Sequence, residues 1–167
     1  MATFKDFSKA FAAIDRDVFS PNATKKLGER GADILYKRVK SGYGVSNDKK
    51  QFPKRDKLDG LEDSTIRQRR ERGVSGKFGS PGRSNLTDTG QLLESFEVTG
   101  KQGQFNIDIP NTKRQKRGGE KKSRTNAEVA EHVSDNGRPF FALTKAEQQI
   151  LAKEVKDTIR SKLRGLI

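Results

Sequence analysis

An α+β fold is predicted for this sequence by an apolar stripe at helical spacing near each end and by a pair of period-two segments between them. Phe4, Phe7, Phe11, Ile14 and Val18 recur at steps of three and four, which places them on one face of a helix over residues 3–18. Near the other end, Leu151, Val155, Ile159 and Leu163 form an i, i+4 stripe. That helix opens at Thr144, which with Glu147 has the spacing of a capping box. Between the two, Phe96 and Val98 alternate with Glu97 and Thr99, and Phe105, Ile107 and Ile109 alternate with Asn106 and Asp108. Alternation is the signature of strands, and Gly100 to Gly103 supplies a turn, so 95–109 is predicted to be an antiparallel hairpin. Two strands alone are marginal. The N- and C-terminal helices are therefore expected to pack on the sheet, with a long extended loop or arm elsewhere.

The remaining elements follow in chain order. Thr3 followed by Asp6 resembles a capping box for the first helix. Ser20-Pro21 has the form of a second N-cap with proline in the first turn. It opens a helix to about Lys40, with Leu27, Ile34, Leu35 and Val39 inward. From Ser41 to Asn85, Gly, Lys, Arg, Ser and Asp dominate, and glycines at 42, 44, 60, 73, 76, 79 and 82 with prolines at 53 and 81 break any long period. This stretch is expected to be an extended basic arm, interrupted by one short helix from Ser64 to Arg72 that gathers Arg67, Arg69, Arg70 and Arg72. Asp88 and Gln91 suit the capping positions of a short helix carrying Leu92 and Leu93. Residues 111–125 form a charged loop, and a short apolar segment, Ala127 to Val133, leads to Gly137-Arg138-Pro139-Phe140-Phe141. The expected organisation is one domain over 1–167: helices in 1–40, the arm in 41–85, and the hairpin, basic loop and last helix in 86–167.

Composition limits the functions open to the chain. Lys and Arg number 35 against 22 Asp and Glu, a net charge of +13, which favours phosphate backbones, anionic membranes or acidic proteins as partners. The hydrophobic fraction, 31%, is below the roughly 45–50% of an ordinary globular chain, so part of the length is expected to pack only against other subunits. Tyr43, Val45, Phe52, Val74 and Phe78 are the loop apolars available for that. With no cysteine, neither a disulfide framework nor a thiolate metal site is possible. No apolar run approaches the roughly 20 residues of a membrane span, and Met1 to Lys9 lacks the apolar core of a secretory signal. No membrane partner and synthesis in the cytoplasm are the expectations.

Candidates for chemistry are few. His132 has no second histidine or cysteine with which to share a metal, so it is read as a surface or packing residue. A metal-dependent nuclease needs converging carboxylates. Asp56, Asp59, Glu62 and Asp63 crowd instead beside Lys54, Arg55 and Lys57, with no predicted strand to present them. The run Gly73-Val-Ser-Gly-Lys-Phe-Gly-Ser-Pro-Gly82 lacks the spacing of a phosphate loop and follows no apolar strand. No catalytic, cofactor or metal residue is assigned. Two basic groups are candidates for facing DNA or a protein partner: Lys113, Arg114, Lys116, Arg117, Lys121, Lys122 and Arg124 in the loop, and Arg67, Arg69, Arg70 and Arg72 in the short helix. No base-stacking aromatics are interleaved with them, so sequence-specific readout is not indicated.

Three segments resemble a known family. Leu86-Thr-Asp-Thr-Gly-Gln-Leu-Leu-Glu-Ser-Phe96 resembles the Leu-x-x-Thr-Gly-x-Leu-x-x-Ser element of the virion morphogenesis and tail completion proteins of tailed bacteriophages. Lys57-Leu-Asp-Gly-Leu-Glu-Asp-Ser-Thr-Ile-Arg-Gln-Arg-Arg70 is similar to the stretch preceding it there, and Ala127 to Gly137 followed by Arg138-Pro139-Phe140 is similar to the element before that family's last helix. Asn126 departs from the aromatic usual before the alanine, and the loop 111–125 is longer and more basic than a plain hairpin connection. The resemblance implies a non-catalytic structural protein of the phage neck, located in the virion. It implies a ring, a hexamer or dodecamer, around the DNA passage, with head-tail connector proteins, tail proteins and genomic DNA in the lumen as partners. It marks Leu86, Thr89, Gly90, Leu93, Arg138, Pro139 and Phe140 as structural positions. On the residues alone, a sequence-independent nucleic-acid-binding protein is the alternative, and a nuclease a third.

Overall fold

Ser20 is extended, at φ −60° and ψ 155°, as the residue before a proline is driven to be, and it separates the N-terminal helices. In the computed structural model, which describes residues 4–46, 54–71, 91–112, 124–136 and 139–164, with 4–7 as backbone, the elements are mixed helix and strand. They are α1 Phe4–Ile14, a π turn Asp15–Phe19, α2 Pro21–Lys40, β1 Tyr43–Val45, β2 Arg55–Lys57, α3 Asp63–Glu71, α4 Gln91–Glu94, β3 Glu97–Lys101, β4 Gln104–Asp108, α5 Asn126–Asp135 and α6 Lys145–Arg164. The two sheets, β1-β2 and β3-β4, each have two strands. The fold class is α+β, with helices at both ends.

The chain gathers into two units. The first takes Met1–Asp33, Val98–Ile107 and Lys145–Ile167. Here Ser20 Oγ accepts from Ala23 N at 3.3 Å and Ser20 O accepts from Thr24 N at 2.9 Å, so Ser20 caps α2 as its sequence predicts. The hairpin docks on this corner. Thr24 Oγ1 donates to Lys101 O at 2.7 Å, Gly103 N donates to Phe19 O at 2.8 Å, and Gln102 Nε2 donates to Asp15 Oδ1 at 2.9 Å. A β-carbon at Gly28 would stand 2.6 Å from Val98 Cγ1, so glycine lets α2 lie this close to the hairpin. The turn is narrower than the sequence suggests: Gly100 is inside β3, and the chain reverses at Gln102-Gly103, where Gly103 takes φ 69°. α6 contacts α1 and the π turn. Phe11 is a correction, because it was expected inward and is 63% exposed. The buried line is Ala10, Ile14 and Val18, each four apart, and Phe11 lies about 100° round the helix from Ala10.

The second unit takes Ile34–Glu97 and Asp108–Thr144. Its core is Leu35, Val39, Leu58, Leu92, Leu93, Ala130 and Phe140, with Tyr36, Phe96, Ile109, Val129, Val133 and Leu143 packed against it. The stretch 41–85, expected to be an extended arm, holds an antiparallel strand pair in which Tyr43 faces Lys57, Gly44 faces Asp56 and Val45 faces Arg55. Val45 and Leu58 are buried, and α3 matches the predicted short helix to within two residues. Of the loop apolars expected to await a partner, Val45 is thus inside the subunit and Tyr43 is half-buried, while Phe52, Val74 and Phe78 lie outside the described residues. α5 opens on a full capping box, with Thr125 N donating to Glu128 Oε2 at 2.8 Å and Glu128 N to Thr125 Oγ1 at 3.2 Å.

Candidate functional site

The segments that resemble the phage family supply one core. Leu58 comes from the segment 57–70, Leu93 from the segment 86–96, and Ala130 and Phe140 from the segment 127–140, and all four belong to a single buried cluster of the second unit. Phe140 has no exposed surface and Leu93 is 2% exposed. The backbone around Phe140 is pinned from two sides. Arg38 Nη2 donates to Phe140 O at 2.6 Å and to Ala142 O at 2.8 Å, and Pro139 O accepts from Val45 N at 2.8 Å. A charged donor makes these bonds stronger than neutral ones, and burial keeps water from competing. Gly44 is needed beside them, since a β-carbon there would overlap Pro139 O. Leu86, Thr89, Gly90 and Arg138 lie outside the described residues.

The basic candidates divide. Arg67 and Arg70 are exposed on α3, three residues apart and hence on neighbouring positions of one face. Arg69 is a correction: it was expected to face DNA or a partner and is only 5% exposed, because the helical step turns it away from Arg67 and Arg70. Arg124 is exposed one residue before the α5 cap. Lys113, Arg114, Lys116, Arg117, Lys121, Lys122 and Arg72 lie outside the described residues. β2 adds Arg55 and Lys57, both exposed, with the Arg55 guanidinium 3.8 Å from the centre of the Tyr43 ring in a cation–π stack. That pair was not foreseen, although strand pairing is all it needs. Arg38 was missed as well; its spacing of three from Leu35 places it on the inward face of α2.

The carboxylates weighed for metal chemistry, Asp56, Asp59, Glu62 and Asp63, are all exposed, and Asp56 proves to lie on a strand, β2. His132 is exposed in the last turn of α5, its Nδ1 3.3 Å from Asn136 Nδ2. Among the described residues, no three His, Cys, Asp or Glu side chains gather to hold a metal ion, and no helix is long and apolar enough to cross a membrane.

In the first unit, α6 and the π turn are joined by charge. Asp17 accepts from Lys162 at 2.6 Å and from Arg16 at 2.8 Å. The hydrogen bond from Arg16, then that from Lys162, lowers the Asp17 carboxyl to about 2. Arg30 reaches Glu154 of α6 at 3.3 Å and Asp33 at 3.2 Å. No protein-family model, curated protein or solved structure matches this chain.

Proposed function

We propose that this protein is a non-catalytic structural component of the neck of a tailed bacteriophage, acting in head-to-tail connection or tail completion as an oligomeric ring around the DNA passage. The observation that carries this reading is the convergence of Leu58, Leu93, Ala130 and Phe140, drawn from all three resembling segments, in a single core. Residues that resemble one family at separate points of the chain serve one purpose here, which is to hold a scaffold. The net charge of +13 supports a place beside DNA or acidic neighbours, and repetition around a ring concentrates it. Salt limits its reach to about 8 Å at physiological strength, so its action is at contact range. The ring is homo-oligomeric, a hexamer or dodecamer, with connector and tail proteins as further partners.

The alternative, sequence-independent nucleic-acid binding, is favoured by exposed Arg55, Lys57, Arg67 and Arg70 on the second unit. Native mass spectrometry and negative-stain microscopy of the purified protein, alone and with neck proteins, separate the readings. Closed rings are the expected result. A protein that stays monomeric with every neck protein and binds free duplex DNA with a steep salt dependence is the alternative. Cleavage of DNA that requires a divalent metal would overturn both.

A further inference from the structure

A groove of about 610 Å³ lies in the first unit, walled by the π turn and the start of α2 on one side and by α6 on the other. Its lining includes three aliphatic side chains, Val18, Leu27 and Val155. Its rim carries four cations, Arg16, Lys26, Arg30 and Lys162, against two carboxylates, Asp17 and Glu154, an excess of two positive charges. Lys26 is exposed on that rim. The π turn is what delivers Arg16, Asp17 and Val18 to the wall, and single π turns within helices recur at functional sites. Along α6 the lining runs from Glu154 to Lys162, about 12 Å at 1.5 Å per residue, or two helical turns.

We propose that this groove is a docking site for a short acidic amphipathic segment of a partner protein. Apolar side chains of the segment rest on Val18, Leu27 and Val155, and its carboxylates face Lys26 and the rim arginines. The ion pairs across the rim are between partly exposed side chains, so they exchange at little cost for the incoming carboxylates. Nucleic acid fits less well, because phosphates gain nothing from the aliphatic part of the lining, Val18, Leu27 and Val155. A second copy of the chain brings a further +13 to a rim that is already cationic. The inference uses the groove alone and stands whether or not the protein belongs to a phage neck.

The test is fluorescence anisotropy of the full-length protein with a labelled Leu/Glu peptide of about 15 residues patterned as an amphipathic helix. A twin peptide with Gln at every Leu position carries the same charge. The Leu/Glu peptide is expected to bind at least tenfold more tightly than the Gln twin. Thr158→Arg adds a cation while filling the groove from α6, so simple charge attraction predicts stronger binding and groove seating predicts weaker. A loss of about tenfold is expected, with several-fold loss for Lys26→Glu. Ala23→Arg fills the groove from the opposite wall and gives a second reading if Thr158→Arg alters thermal melting. The proposal is overturned if both peptides bind alike, if neither binds, or if the filling variants bind as well as or better than the parent. It is equally overturned if duplex DNA displaces the peptide at 0.15 M salt, or if the groove-filling variants abolish a self-association of the parent protein.

Discussion

Replacing Phe140 with alanine removes the largest fully buried side chain among the described residues while leaving its surroundings in place. Phe140 is 0% exposed, and Arg38 and Val45 bind the main chain around it, so neither of those hydrogen-bond sets depends on the ring. Transfer of a fully buried Phe side chain accounts for about 1.5–3 kcal/mol. The cavity left among Leu35, Val39, Leu58 and Leu93 brings the expected loss to about 3–5 kcal/mol. Against a total stability of about 5–15 kcal/mol, that is a large fraction. Phe141 is an internal control, since its ring touches Phe140 and Phe96 at centroid distances of 6.1 and 5.5 Å but is 36% exposed; Phe141→Ala is expected to lose less than half as much. Urea unfolding followed by tyrosine fluorescence suits the question, because the sequence has no tryptophan and both of its tyrosines, Tyr36 and Tyr43, lie in this unit. A loss below about 1 kcal/mol for Phe140→Ala, or equal losses at 140 and 141, would refute the packing described for the Arg-Pro-Phe step.

Gly44→Ala forces a β-carbon onto Pro139 O and is expected to destabilise by about 1–3 kcal/mol, whereas Gly60→Ala, with nothing within 4 Å of the new carbon, stays within about 0.5 kcal/mol; the same urea titration compares them. Asp17→Asn tests the charged link to α6 by pH. The Asp17 carboxyl is lowered from the ordinary 3.8 to about 2 in the fold, so its stabilisation is fully present above about pH 5 and is lost as pH falls through 3.8 and then through about 2. The melting difference between parent and Asp17→Asn should therefore hold from neutrality to about pH 5, shrink as pH falls toward about 2 and vanish only below that, and a difference that does not shrink between about pH 5 and about pH 2 contradicts the assignment. Serine at Lys113, Arg114, Lys116, Arg117, Lys121, Lys122 and Arg124 together should leave the subunit's melting unchanged and lower the titre of infectious particles. Full titre across a range of salt would reduce that loop to a solvated surface.

Long periodic elements were legible in the sequence because period and caps agreed. Ser20-Pro21 marked the start of α2 to the residue, and the Leu151, Val155, Ile159 and Leu163 stripe marked α6. The strand pair β1-β2 was not legible, since three residues apiece offer no alternation to read and a glycine occupies the middle of one. Phe11 misled because its side chain outweighs Ala10 in any count of apolar positions, yet the smaller residue is the one on the buried line. Thr125 and Glu128 stood at capping-box spacing in plain view, at the start of the segment read only as apolar. The groove of the first unit had no sequence signal. It joins residues 16–30 to residues 154–162, and only the tertiary fold brings them together.

Electron microscopy of intact particles that carry a gold-labelled copy of this chain tests most directly the place proposed for it in the neck of a phage particle. The label is predicted to appear as a ring of equivalent positions at the head-to-tail joint, on the axis along which DNA passes, and particles made without the gene are predicted to show heads and tails that fail to join. Label absent from the joint, together with normally joined particles when the gene is deleted, would contradict the claim.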